Sequence, residues 1–237
     1  MASIDVHNAA REGQHHLLTQ ALAENPDLVN TPDSDGRTPL ATAATSGSVE
    51  AIQAVLRYKP NLNSRDSLGW TPLIIAASAG NTDVVSELIG AGADVTSGND
   101  RDQTALHYAA SKGRLEIGRL LIEKGADINA RDKANQLPLH RAATTGATPF
   151  IRLILSSEST GSFKKPRLNL QDRAGNTPLH LAFESGHAEA AVALIEAGAD
   201  RERTNSDGDR PEDTLGVGGQ EAKRVLQYIH SKCGKLQ

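Results

Sequence analysis

The chain has 237 residues and carries 25 Lys and Arg against 29 Asp and Glu, a formal charge of −4 that excludes the strongly basic footprint of a general nucleic-acid binder. Its single cysteine, Cys233, excludes an internal disulfide, and neither a secretion-type apolar leader nor a run of roughly 18 apolar residues able to span a membrane is present. Aromatic residues make up only 3% of the chain, so a core has to be assembled from small aliphatic side chains in thin helical layers.

In chain order, the first helical pattern is "DVHNAAREGQ" from Asp5, followed by the consecutive pair His15-His16. Then come "TPLATAATSG" from Thr38, "TPLIIAASAG" from Thr71, "TALHYAASKG" from Thr104, "LPLHRAATTG" from Leu137 and "TPLHLAFESG" from Thr177, with starts 33, 33, 33 and 40 residues apart. A final "RPEDTLGVGG" from Arg210 keeps the proline and little else, and "QEAKRVLQYIHSKCGKLQ" supplies a last amphipathic helix with Val225, Leu226 and Ile229 inward. The expectation is one all-α domain over 1–237, a solenoid of seven stacked helix-turn-helix repeats with β-hairpin fingertips. Its caps are 1–34 and 207–237, and its internal repeats are 35–67, 68–100, 101–133, 134–173 and 174–206.

The grammar of each copy has a physical reason. Thr38-Pro39, Thr71-Pro72 and Thr177-Pro178 place a capping hydroxyl before a proline whose missing N–H costs nothing at the first helical position. Leu106, Ala109 and Ala110 fall at i, i+3 and i+4 and form one apolar face, while Gly47, Gly80, Gly113, Gly146 and Gly186 end these first helices. A second helix follows, with Ile117, Leu120 and Leu121 as its apolar spacing, and closes at Gly92, Gly125 or Gly198; the copy at Lys59-Pro60 departs from this pattern. Before each new Thr stands a turn ("DSDG", "DSLG", "NDRD", "DKAN", "DRAG", "NSDG") whose fourth residue is of a type that tolerates positive φ. Seven extra residues lie in "SSESTGSFKKPRLNLQD", a surface loop extension at 156–166 whose Lys164-Lys165-Pro166-Arg167 reads as a solvated basic run, with a weak nuclear-targeting or docking patch as the alternative.

Chemistry finds little footing in this pattern. His107, His140 and His180 recur at one repeat position, and equivalent positions on stacked helices stand roughly 8 to 10 Å apart. Zinc takes nitrogen ligands at about 2.0 to 2.1 Å, so these histidines read as structural rather than metal-binding. His15 and His16 point about 100° apart on a helix, Cys233 has no histidine partner by spacing, and "GVGG" at 216–219 lacks the ending of a phosphate loop. No catalytic residue, metal or cofactor is expected.

What the repeat leaves free are fingertip positions and the outer turn of each first helix. These give a candidate protein-binding groove of Asp35, Arg37, Trp70, Arg101, Gln103, Tyr108, Lys112, Lys133, Arg141 and Arg173, basic in its middle, with Leu68, Gln136 and Glu184 alongside. Trp, Tyr and Arg dominate binding hot spots, and a basic groove on an acidic protein implies a partner with an acidic patch. Arg37 and Lys112 are read as groups that can be reversed without cost to folding.

A period of 33 with Thr-Pro-Leu-His-x-Ala-Ala resembles the ankyrin repeat. Within that class, "GWTPLIIAASAG" from Gly69, "TALHYAASKGRLEI" from Thr104, "HRAA" from His140 and "LNLQDRAGNTPLHLA" from Leu168 resemble the gankyrin family, in a divergent, fungal-like form. The resemblance implies an assembly chaperone of the proteasome regulatory particle that cups the C-terminal domain of a base ATPase subunit, with Asp35, Arg37 and Lys112 at matching charged positions and Trp70, His107, Tyr108 and Arg141 also matching. The family's retinoblastoma-directed Leu-x-Cys-x-Glu motif falls on Leu181-Ala182-Phe183-Glu184-Ser185, which lacks the Cys and the last Glu, and is not carried over. The competing reading is an adaptor or kinase inhibitor with an unrelated partner. Either way, the expectation is a monomer of the cytoplasm and nucleus.

Overall fold

The computed structural model describes residues 4–156, 165–214, 216 and 219–235. The chain packs as two compact units, Met1–Ala105 and Leu106–Gln237.

In the first unit, helices α1 (Val6–Arg11), α3 (Pro39–Ser46) and α5 (Pro72–Ala79) stack side by side, and α2 (His15–Glu24), α4 (Val49–Leu56) and α6 (Thr82–Gly90) stack as a second layer behind them. Helix α3, with α1 and α5 on either side and α4 behind, buries Pro39 through Ala44, whereas α1 at the end of the layer buries only Val6, Ala9 and Ala10. The second-layer helices are amphipathic; α4 buries Ala51, Ile52, Ala54 and Val55 and leaves Glu50 and Gln53 exposed.

Helix α7 (Ala105–Ser111) lies at the division between the units. In the second unit α9 (Pro138–Thr144) packs on α11 (Pro178–Glu184), while α8 (Leu115–Glu123), α10 (Thr148–Ser156), α12 (Ala188–Glu196) and α13 (Gly219–Cys233) follow one another behind. Of the Leu181–Ser185 stretch, Leu181, Ala182 and Phe183 are buried in this core while Glu184 is exposed. Mid-helix Gly118 is a packing device: a Cβ there would meet Phe150 Cε2 at 2.3 Å, so the missing side chain is the seat of the phenyl ring. Leu120 and Leu226, read as inward, are half-buried, while Ile117, Leu121, Val225 and Ile229 form the buried stripe.

The helix ends follow the sequence grammar with two refinements. Thr71 and Thr177 cap through their hydroxyls, whereas Thr38 directs its hydroxyl to Ser64 Oγ at 2.9 Å. Lys59, the departure from the closing glycine, still adopts the left-handed conformation (φ 54°) that Gly92, Gly125 and Gly198 adopt without a Cβ penalty.

Among the described residues no strand forms, and the expected β-hairpins are instead tight five-residue turns. One isolated bridge joins Gly98 and Thr104. The reason is length: the chain leaves each turn directly into a helix, so only one or two backbone bonds close it. The extra loop falls mainly on residues 157–164, outside the described residues. The chain re-enters the repeat where Asn129 accepts the Arg167 amide at 3.0 Å and donates to the Lys165 carbonyl at 2.9 Å. Asn30, Asn63 and Asn169 accept in the same way from Asn61, Asp94 and Asp200.

Candidate protein-binding surface

Every turn is organised by its first residue. Oδ1 of Asp33 accepts from the amides of Asp35 and Arg37, both at 2.9 Å. Asp66 does the same for Leu68 and Trp70, Asn99 for Arg101 and Gln103, Asp132 for Ala134 and Gln136, Asp172 for Ala174 and Asn176, and Asn205 for Asp207 and Asp209. The fourth residue takes positive φ, by glycine at 36, 69, 175 and 208 and by Asp102 (58°) and Asn135 (61°) elsewhere. Successive turns are bonded rung to rung within each unit: Ser67 N–H to Asp35 O at 2.9 Å and Asp100 N–H to Leu68 O at 3.2 Å in the first, Arg173 N–H to Ala134 O at 3.0 Å and Ser206 N–H to Ala174 O at 3.2 Å in the second. Four amides of each turn are bonded within it, and the second and third turn residues are exposed.

The second oxygen of three of these carboxylates reaches across. Asp66 Oδ2 takes Arg37 Nε at 3.3 Å, Asp132 Oδ2 takes Arg141 at 2.6 Å, and Asp172 Oδ2 takes the Gln136 amide at 2.9 Å. The aspartate side chains at 66 and 132 are 2% and 1% exposed, against 35% for Arg37 and 30% for Arg141, so these two arginines neutralise buried charge. Burial pushes the Asp132 carboxyl up, but the hydrogen bonds from Arg141 and the Gln136 amide outweigh it and hold it below its ordinary value. Arg37 and Arg141 are therefore ion-pair partners of buried aspartates, so reversing Arg37 is expected to carry a cost to folding. Gln103 is likewise tied back, its Oε1 accepting from Asn99 Nδ2 at 3.3 Å.

Of the other sequence-derived positions, Asp35 and Arg101 in the first unit and Lys112, Lys133 and Arg173 in the second are exposed, whereas Trp70 and Tyr108 are half-buried. The apolar side chain that the fingertips present most openly is not Trp70 but Leu68, 63% exposed. Residue type alone favours the tryptophan; only the turn geometry shows that the third position points out and the fifth points back.

The motif histidines staple each first helix to the next turn. Nε2 of His107, His140 and His180 lies 3.1, 3.2 and 3.0 Å from the carbonyls of Gln136, Asn176 and Asp209, so it carries the proton. Nδ1 of His140 and of His180 accepts the amides of Leu137 and Thr177, at 3.1 and 3.2 Å. Burial lowers the pKa of all three, that of His140 to about 4, which fixes the neutral form this pattern requires. Among the described residues no group of three or more His, Cys, Asp or Glu is placed to hold a metal ion, and no helix is long and apolar enough to cross a membrane. Burial raises the Cys233 thiol above its ordinary value, away from thiolate chemistry.

The family model for ankyrin repeats (three copies) matches residues 6–99, 59–132 and 131–205. The chain belongs to the ankyrin-repeat family. A solved structure with this ankyrin fold, the human ASB11 ankyrin repeat domain, is 22% identical with a TM-score of 0.80, covering 94% of this chain and 96% of that one. Among curated proteins, protein phosphatase 1 regulatory subunit 27 is 48% identical in human and 44% in mouse, each over 48 residues, 20% of this chain. The matched segment spans 31% of the length of those relatives. The ankyrin repeats therefore account for both the helix pairs and the turns.

Proposed function

We propose that this chain is a non-enzymatic protein-binding adaptor that engages an acidic segment of its partner through the second unit. The observation that carries this reading is the pair Lys133 and Arg173, at the second position of adjacent turns joined by the Arg173–Ala134 rung. Both are exposed, and neither has a carboxylate partner among the described residues. Exposed Lys112 adds a third cation from the end of α7, in a protein whose net charge is −4. The count of seven repeats is supported by six helix pairs plus a seventh in which the 3-10 turn Pro211–Asp213 precedes α13, and the proposal takes them as one domain. The proposed adaptor is a monomer of the cytoplasm and nucleus.

Two narrower readings follow different observations. The likeness to a phosphatase 1 regulatory subunit favours a phosphatase as partner. The gankyrin-like residues, with Asp35 exposed in the first unit and Lys112 in the second, favour a chaperone of proteasome base ATPases. Affinity purification from the source cell with the wild-type chain and with Lys133→Glu/Arg173→Glu separates them. A partner retained by the first and lost by the second supports the adaptor; its identity as a base ATPase or a phosphatase catalytic subunit selects the narrower reading. A partner set unchanged by the double reversal overturns the acidic-segment site.

A further inference from the structure

The third residues of the first unit's turns are Asp35, Leu68 and Arg101, an anion, an apolar side chain and a cation in consecutive rungs. Their backbones are equivalent. Each turn has the same first-residue oxygen accepting from the third and fifth amides, and the same positive φ follows at Gly36, Gly69 and Asp102. The rungs are locked by the Ser67–Asp35 and Asp100–Leu68 bonds, so the three side chains leave the surface in one direction. All three are exposed, Leu68 by 63%, and neither Asp35 nor Arg101 has an ion-pair partner among the described residues. By contrast, Asp100 one position earlier is held by Arg65 at 3.0 Å.

Rungs set by stacked helices are roughly 8 to 10 Å apart. An extended peptide would cover that distance in about three residues, and residues three apart on a strand point to opposite faces. At its 1.5 Å rise a helix covers it in about five to seven residues, and of these spacings only about seven, nearly two full turns, returns the side chains to one face. From this geometry we propose that the row Asp35–Leu68–Arg101 docks an amphipathic helix of a partner protein, presenting a cation, an apolar side chain and an anion at intervals of about seven residues. The proposal rests on the protein-binding reading above, but uses different residues and a different unit.

The test is fluorescence anisotropy with labelled alanine-based helical peptides. One carries lysine, leucine and glutamate about seven residues apart. A second carries them about five residues apart, which splays them around the helix. A third replaces the lysine with glutamate. The seven-spaced lysine–leucine–glutamate peptide is expected to bind best. Leu68→Ser should weaken it by about tenfold or more while leaving the melting temperature unchanged, since the side chain is exposed. Asp35→Lys should invert the preference toward the glutamate–leucine–glutamate peptide. Equal binding of the seven- and five-spaced peptides, or indifference to Leu68→Ser, overturns the proposal. So does sedimentation equilibrium showing self-association abolished by Leu68→Ser, which would make a second copy of this chain the occupant. The first peptide is near neutral and should be insensitive to Lys133→Glu/Arg173→Glu, so failure here and failure of the acidic-segment site are read separately.

Discussion

The turns of the two units share one backbone and differ in where they place their chemistry. In the first unit the second positions are Ser34, Ser67 and an ion-paired Asp100, and the outward variety lies at the third: Asp35, Leu68 and Arg101. In the second unit the third positions begin with Ala134 and Ala174, and the charge moves one residue back, to Lys133 and Arg173. The inner helices differ too: the motif position that holds His107, His140 and His180 in the second unit is Ala41 and Ile74 in the first. A turn whose first side chain and four amides are committed to its own geometry leaves two positions on which binding specificity can vary without altering the fold.

If that skeleton is shared, breaking it should cost the same in either unit. Asp66→Ala and Asp132→Ala each delete an oxygen that accepts two backbone amides and leave an arginine beside a buried gap, an expected loss of about 3 to 5 kcal/mol by urea unfolding. Asn at either position should cost less, because Asn99 and Asn205 already organise their turns with the same amide oxygen. A large difference between the two alanine variants would mean that the turns are not equivalent after all.

Acid should separate the units. The three motif histidines have folded pKa values below the ordinary 6.5, so as pH falls the unfolded chain takes up protons before the folded one. Their contribution is complete above about pH 6.5 and declines as pH falls, for His140 until about 4. For His140 alone the loss reaches about 2 kcal/mol at pH 5. The depressed carboxylates Asp132 and Glu212 are lost only below their ordinary values of 3.8 and 4.5, so the interval from 6.5 to 5 reports histidine. Hydrogen exchange should show α9 and α11 losing protection at pH 5 relative to α3 and α5. Equal loss in both sets would remove the histidines as the cause.

Arg37→Glu tests the ion-pair role of that arginine. It sets a second carboxylate beside Asp66, whose side chain is 2% exposed, and should lower stability by about 1 to 3 kcal/mol, discounted because Arg37 itself is partly solvated. An unchanged melting temperature would return Arg37 to the binding surface.

The sequence pattern showed the helix pairs, the glycine stops and the left-handed fourth turn positions, including Asp102 and Asn135, because each is imposed by local backbone geometry that repeats. It did not show which outward-looking side chains were already committed. Arg37 reaches Asp66 across 29 residues and Arg141 reaches back 9 to Asp132, and a period identifies equivalent positions without saying which of them neutralise each other. For the same reason Leu68 was hidden behind Trp70, two residues away, until the turn fixed which of them faces out. Gly118 carried no signal at all, since only the ring of Phe150 explains a glycine inside a helix.

The smallest expected effect is the most telling about where recognition resides. Lys133→Glu with Arg173→Glu changes the charge by four at positions that contribute no side-chain bond to the turn, whose rung runs through the Arg173 amide rather than its guanidinium. Stability should stay within about 0.5 kcal/mol of wild type, as for other exposed substitutions. Measured beside Arg37→Glu, it tests whether two arginines read alike from the repeat belong to different systems, one holding a buried aspartate and the other without a carboxylate partner among the described residues. A fall in stability matching that of Arg37→Glu would show that the second position of the turn is part of the scaffold, and the division between skeleton and surface would have to be redrawn one residue further out.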